Sequence, residues 1–276
     1  MTEIDRAHHK RTLWAVVQAL AKPGNYSGVI KTLRHCSRPV DFLKRYLRNA
    51  GNYPAQFSIR TPIGVVRPTA FVADDVLTIN EIFFRGDYGD DRTARTIVDL
   101  GSNVGISTLY FLSRNNEAFV YCYEPLPQNI ERLKQNLRGF EERYVLCEAA
   151  VAMQDGTVDF GWEPTGRYGG IGRQGGATMT VPAVDSNRVL AEIVQRHGII
   201  DLLKIDIEQL EVELTERIPD AIVRRIRRIV IENAFPRNPF PTTHDMHFER
   251  PITTLLRRDD ASSDGTVEDH IASAGR

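Results

Sequence analysis

The stretch from Thr96 to Val151 constrains the fold more than any other part of the chain. It reads TIVDLG, SNVGISTLYFLSRN, FVYCYEP, LPQNIERLKQNLRGF and YVLCEAAV, so that short apolar runs alternate with runs of helical period. Apolar strands separated by helices need crossover connections, which makes the strands parallel and covers both faces of their sheet. The same rhythm continues after two short strands, TVDFGW and TMTVPAV. Asp185 to His197 reads as a helix, DLLKIDI as a buried strand, EQLEVELTERIPDAIV as a helix and RRIVIENAF as a further strand. The expected class is α/β, a Rossmann-like sheet with helices on both faces, plus an N-terminal extension.

That extension has a different texture. Two apolar-periodic stretches, Thr12 to Leu20 and Val40 to Tyr46, are separated by Pro23-Gly24-Asn25 and Ser37-Arg38-Pro39, and both predict helices. FSIRTPIGVVRP and FVADDVLTI then predict short β pieces forming an antiparallel hairpin. The expected organisation is a helical cover and β-hairpin over residues 1–90, a ligand-binding domain over 91–256, and a small, polar, mobile tail over 257–276. The cover closes a pocket or pairs subunits, so a homo-oligomer is one expectation.

Composition narrows the function classes. With 35 Lys plus Arg against 36 Asp plus Glu, no overall positive field exists to hold a polyanion, and no nucleic acid is expected as partner. The run Arg224 to Arg228, RRIRR, joins a helix to a strand near balancing acids and reads as a solvated patch. Cys36, Cys122 and Cys147 include no CxxC pair and fit free thiols in a reducing compartment. No run reaches the roughly 18 apolar residues of a membrane span, and the first 24 residues lack a signal-peptide layout. A cytoplasmic protein is expected.

The segment from Ile97 to Ser107 carries the first ligand signal. An apolar strand leads directly into Asp99, Gly101 and Gly105, and a helix follows, the layout of a ligand loop at a strand's carboxyl end. Gly101 permits close backbone approach, and Gly105 lets the helix sit against the strand. Ser102 and Asn103 complete the loop, while Ser107 and Thr108 bring donors to the first helical turn. A dinucleotide site wants G-x-G-x-x-G, but Asn103 holds the second glycine position and Thr108 the third. An acid at the loop mouth also repels a pyrophosphate. A ligand bearing a carboxylate and an ammonium, as at the methionine end of S-adenosylmethionine, suits the loop better, with helix-terminus amides for the anion and Asp99 for the cation. Glu124 ends the next strand, where an acid accepts both hydroxyls of a ribose.

Four blocks in order, VDLGSNVGISTLYF, YEPLPQNIERLKQN, EAAVAMQDGTVDF and DLLKIDIEQLEVEL, resemble the FkbM-type methyltransferases over roughly residues 76 to 235. The lead-in TINEIFFRGDYGD is similar as well. The resemblance implies an S-adenosylmethionine-dependent O-methyltransferase acting on a hydroxyl of a sugar, glycolipid or natural product. It implies that Asp99, Gly101, Asn103 and Gly105 form the cofactor loop, that Glu124 with Pro125 holds the ribose, and that the turn from Glu148 to Val151, including Ala149 and Ala150, flanks the adenine. Where the family reads K-I-D-x-E-G-x-E, this chain has Lys204-Ile205-Asp206-Ile207-Glu208-Gln209-Leu210-Glu211. Gln209 replaces a glycine, so a turn different from the family's is expected there, and the family's use of Glu208 and Glu211 need not carry over.

An aliphatic hydroxyl is a poor nucleophile until its proton leaves, so a positioned base contributing roughly 10²- to 10⁴-fold is expected. Asp206 and Glu208 end a buried strand where catalytic groups collect in open α/β sheets; as plain structure they are acids at a helix N-terminus. Glu232-Asn233 closes the next strand. His244 and His247 lie in PTTHDMHFER, a polar segment expected to fold over the pocket, with His244 a candidate base. With Asp245 this HxxH pair lacks the ligand cluster of a metal site, and no metal is expected. Tyr88 either lies across the cofactor's methionine end or is a core aromatic. The competing readings are methylation of RNA or protein, and a noncatalytic Rossmann-like binding module.

Overall fold

The computed structural model describes residues 23–163, 169–172, 176–249 and 251–258. The helix expected over Thr12 to Leu20 and the polar tail after Arg258 lie outside these residues.

Among the described residues the chain builds a seven-stranded sheet, a four-stranded sheet and two two-stranded pairs. The large sheet uses β5 (Thr96–Leu100), β6 (Phe119–Tyr123), β7 (Tyr144–Cys147), β12 (Ile200–Ile205), β13 (Ile226–Ile231), β14 (His244–Glu249) and β15 (Ile252–Arg257). Their spatial order is β14-β15-β13-β12-β5-β6-β7. The five central strands from β13 to β7 run parallel, while β15 is antiparallel to both of its neighbours. The strand order reverses between β5 and β12, which opens a crevice above their carboxyl ends. The expected doubly wound α/β fold is what the chain forms.

Period-2 alternation splits the core in two. Ile97, Val120, Cys122, Leu202 and Val230 point to one face, and Val98, Leu100, Tyr121, Leu203, Ile205 and Ile229 to the other. The second face is covered by the helix Ser186–His197 and by two short helices, Glu211–Glu216 and Asp220–Val223. One continuous helix is expected from EQLEVELTERIPDAIV; Pro219 divides it, because proline has no N–H to continue the ladder.

The first face is covered by the helix Ile106–Leu112 and by the N-terminal extension. The helices Pro23–His35 and Pro39–Arg48 precede a hairpin of β2 (Ile59–Thr61) and β3 (Gly64–Val66), flanked by the short pair β1 (Ala55–Gln56) and β4 (Thr69–Ala70). Phe42 packs edge-on against both Phe57 and Phe84 with centroids 5.0 Å apart. These rings share a core with Ile97, Leu109 and Val120, so the extension is continuous with the sheet's packing. FVADDVLTI is not a β piece. It forms a helix, Ala73–Ile79, because the Asp75 carboxylate accepts the N–H groups of Phe71 and Val72 that the first turn would leave unpaired. That helix passes into a π-helical turn, Asn80–Arg85, which Gly86 ends in the left-handed region.

Two further expectations change. YVLCEAAV is not one strand: β7 stops at Cys147, and β8 (Ala150–Ala152) joins a separate four-stranded sheet with β9 (Gly156–Trp162), β10 (Gly169–Ile171) and β11 (Ala177–Asp185). PTTHDMHFER is not a loop over the crevice. Most of it is β14, held at the sheet's edge by β15, whose Ile252 and Leu255 are buried in the core.

Candidate functional site

Register explains how the site is assembled. Tyr123 pairs with Leu100, Leu100 with Ile205, and Ile205 with Ile231. The next residue on each strand is therefore Glu124, Gly101, Asp206 and Glu232, one row across four adjacent parallel strands, all on the same pleat phase. Neighbouring strands lie about 4.8 Å apart, so Glu124 and Glu232 stand at the two ends of a row about 14 Å long.

A cleft opens over the Glu124 end. Gly101, Asn103, Glu124, Pro125, Ala149, Ala150, Asp206 and Glu208 line it, with Tyr123, Leu126 and Asn129. Its roof is apolar: Val151 from β8, Phe160 from β9, and Gly169 and Ile171 from β10. The turn Glu148-Ala149, where the chain leaves the large sheet for the small one, brings Ala149 and Ala150 to the wall.

Glu124 is 5% exposed. Its Oε2 accepts the Asn103 N–H at 3.0 Å, and Oε1 accepts the Leu126 N–H at 3.0 Å and the Asn129 Nδ2 at 3.2 Å. Burial pushes its pKa up to about 7, against the three donors and the Lys204 charge, which favour the anion. A carboxylate fixed by its own loop and open to a cleft is suited to accept further hydroxyl protons.

The glycine loop is tightly determined. The Gly101 and Ser102 N–H groups both donate to the Tyr123 carbonyl. Gly101 has φ +82°, and a Cβ there would lie 1.8 Å from the Asp206 carbonyl oxygen, so only glycine fits. Gly105, at φ +80°, faces Leu133 of the helix Pro127–Asn136, with a Cβ 3.2 Å from the Leu133 Cα. Its close neighbour is that helix and not the strand.

Asp99 does not reach the cleft. It is fully buried: Oδ2 accepts Ser107 Oγ and Thr108 Oγ1, each at 2.7 Å, and Oδ1 pairs with Lys204 Nζ at 3.1 Å. The expected contact between Asp99 and a ligand ammonium is thus replaced by an internal ion pair. The Ser107 hydroxyl is occupied likewise, and Ser102 Oγ donates to the Asp99 carbonyl while accepting the Tyr123 N–H. These three residues brace the loop from beneath.

Lys204, which the sequence reading overlooked, is the hub. It is 2% exposed and its Nζ meets Asp99 Oδ1, Asp206 Oδ2 at 3.2 Å and the Gly101 carbonyl at 2.8 Å. Burial alone would lower its pKa, but the carboxylates of Asp206, Asp99 and Glu232 outweigh that and hold it above the ordinary lysine range. The visible signal was a lysine in the middle of a strand buried at every position.

Glu208 and Gln209 follow Asp206 with φ +52° and +73°. The chain thus makes a left-handed turn at Gln209 without a glycine. Glu208 lines the cleft, whereas Glu211 is buried at the start of the next helix.

Tyr88 lies outside the cleft wall. It is 2% exposed, stacks on Phe111 with centroids 5.8 Å apart, and its hydroxyl donates to Glu232 Oε1. His244 is at the opposite end of the sheet, fully buried, with Nε2 at 3.0 Å from the Ile226 carbonyl and Nδ1 at 3.0 Å from Thr243 Oγ1. Ile226 begins β13 whereas the cleft is at that strand's end, so His244 is a packed core histidine and not a candidate base. His247 is exposed on β14. Among the described residues no cluster of three or more His, Cys, Asp or Glu side chains is placed to hold a metal ion, and no helix is long and apolar enough to cross a membrane. Cys36 and Cys122 are buried and Cys147 partly so, all as free thiols.

AMB antimetabolite synthetase AmbE of Pseudomonas aeruginosa is 25% identical over 173 residues, covering 49% of this chain and 8% of that protein. Methyltransferase 1 of Beauveria bassiana is 20% identical over 59% of this chain and 74% of its own length. The 2-O-methyltransferase NoeI of Sinorhizobium fredii is 34% identical over 64 residues, 23% of this chain and 26% of its own. The chain therefore spans only a small part of the first and third of these relatives. Among solved structures, methyltransferase FkbM from Methylobacillus flagellatus aligns over 85% of this chain and 62% of its own, at 12% identity and a TM-score of 0.41. The Methyltransferase FkbM domain matches residues 99–258, more than half of the sequence, and with the glycine loop, Glu124 and the switch-point cleft in place the chain belongs to the FkbM methyltransferase family.

Proposed function

We propose that the protein transfers a methyl group from S-adenosylmethionine to a hydroxyl of a sugar, glycolipid or natural-product acceptor. The observation that carries this reading is the in-register row, with the buried Glu124 carboxylate at one end and the Asp206 and Glu232 carboxylates toward the other. The cleft fits the cofactor in two respects. Glu124 presents a buried carboxylate, and Ala149, Ala150, Phe160 and Ile171 form an apolar slot suited to a planar base.

When bound, S-adenosylmethionine supplies an electrophilic methyl group on a sulfonium. The chain's own residues then have separate tasks. Glu124 and Asn103 orient, the apolar roof excludes water, and Asp206 and Glu208 line the floor toward the acceptor. Holding both reactants in an in-line approach is where much of the acceleration arises. The 2-O-methyltransferase among the relatives supports a hydroxyl as the acceptor group. On this reading residues 91–256 hold the cofactor, the first 90 cover the acceptor side, and the protein works in the cytoplasm.

Calorimetric titration with S-adenosylmethionine and S-adenosylhomocysteine, on the wild type and on Glu124→Ala, tests the reading. About micromolar binding that weakens tenfold or more in the variant is expected. Labelled methyl transfer to p-nitrophenyl glycosides is the following step. A wild type that binds neither compound refutes the proposal.

A further inference from the structure

Glu232 occupies the far end of the row and is not part of the cofactor cleft's lining. Its N–H donates to the Ile205 carbonyl at 3.2 Å, which pins it beside Asp206. Its Oε1 accepts a hydrogen bond from the Tyr88 hydroxyl. That phenol comes from the loop after the π-helical turn, 144 positions earlier in the chain, and Phe111 fixes its ring. Glu232 itself is exposed at the sheet edge. A buried tyrosine thus aims one oxygen of an accessible carboxylate, at the edge where α/β sheets bind substrates.

We propose that Glu232 is the base that takes the acceptor's hydroxyl proton, and that Tyr88 is the positioning residue that orients it; this rests on the methyltransferase reading above. Asp206, the sequence-based alternative, has its Oδ2 engaged by the Lys204 ammonium at 3.2 Å. Glu232 is held instead by a neutral phenol. In the reaction a lone pair of the acceptor oxygen forms the new O–C bond, the C–S bond breaks with its electron pair going to sulfur, and the O–H proton passes to Glu232 Oε2, the oxygen Tyr88 does not bind. The products are a methyl ether, a neutral thioether and a protonated carboxyl, so charge and atoms balance.

The groups facing Glu232 are Tyr88 from its loop, Lys204 and Asp206 from β12 and its end, and Glu81 from the π-helical turn. Partial burial and the Asp206 charge raise its proton affinity, Lys204 and Tyr88 lower it, and exposure to water tempers all four. The net direction is upward, so the carboxyl carries a proton closer to neutrality than ordinary carboxylates do.

Carbodiimide labelling with glycine ethyl ester, read by peptide mass spectrometry in the presence of saturating S-adenosylhomocysteine, tests the assignment without a known acceptor. Glu232 is expected to label close to neutral pH while Glu124 is protected. In Tyr88→Phe the pH of half-labelling moves upward by about one unit, because the bond that stabilised the anion is gone. In Glu232→Gln, S-adenosylhomocysteine affinity stays within about twofold of wild type while labelled methyl transfer to p-nitrophenyl glycosides falls by about 10²-fold or more. Glu232 that stays unlabelled with S-adenosylhomocysteine bound, a midpoint unmoved in Tyr88→Phe, or wild-type transfer by Glu232→Gln overturns the assignment. A wild type that fails to bind S-adenosylhomocysteine takes down the underlying reading, a failure seen in a different measurement.

Discussion

Asp99 and Glu124 are both buried acids near the ends of adjacent strands, yet their surroundings separate them completely. Asp99, below the glycine loop, meets two hydroxyls and an ammonium, all from its own chain. Glu124, above it, is held by two backbone N–H groups and one amide, and still faces the cleft. The first acid determines whether the loop exists; the second determines what the loop can hold. An acid within a ligand motif is thus not by itself a ligand contact, and what distinguishes the two cases is whether the remaining acceptor capacity points to protein or to open space.

The largest expected effect breaks the lower half of that comparison. Lys204→Met strands the Asp99 charge in the core and should cost about 3–5 kcal/mol in urea unfolding, with cofactor binding lost only as a consequence of unfolding. Glu124→Ala should act differently. It weakens S-adenosylhomocysteine binding by about 1.5–3 kcal/mol and lowers the unfolding midpoint less than Lys204→Met does, because removal of a buried carboxyl offsets part of the loss of its three hydrogen bonds.

The pH dependence sharpens the contrast. The folded Glu124 carboxyl, pushed up to about 7 by burial, lies above the ordinary glutamate value of 4.5. Its contribution to stability is therefore fully present below pH 4.5 and lost as pH rises through 7. Ligand affinity runs the other way, because the anion is the stronger acceptor of ribose hydroxyls. S-adenosylhomocysteine affinity should climb between pH 6 and 8 in the wild type and stay flat in Glu124→Gln; equal slopes would remove Glu124 from the ribose site. The smallest effect belongs to Gln209→Gly. Releasing a left-handed glutamine should raise stability by about 0.5–1 kcal/mol, net of the entropy that glycine loses, as read by thermal unfolding.

Much of the sheet was legible because burial on both faces leaves short, mostly apolar runs, and β5, β6, β12 and β13 are all visible that way. Glu124 was legible because strand ends at a switch point carry ligand groups. What escaped the sequence depended on partners far apart in the chain. Lys204 was conspicuous as a charge inside DLLKIDI, but its pairing with Asp99 spans two strands that meet only once the sheet forms. Tyr88 and Glu232 are as remote. YVLCEAAV hid a change of sheet because both of its halves have strand chemistry, so no breaker residue marks the turn at Glu148-Ala149. His244 misled because polar neighbours suggested a loop, while alternation in HDMHFE and the apolar partner ITTLLR made it an edge strand.

The in-register row has a consequence for how such a site tolerates change. Its four positions are spaced by the ladder itself, so replacing a side chain alters one station and leaves the intervals alone. Adding or removing a single residue within β12 or β13 is another matter, because it inverts the pleat phase and turns Asp206 or Glu232 to the opposite face of the sheet. Length variation is therefore tolerable only in the connections above the row, and diversification of acceptors must proceed through those connections while the graduated edge beneath them stays fixed.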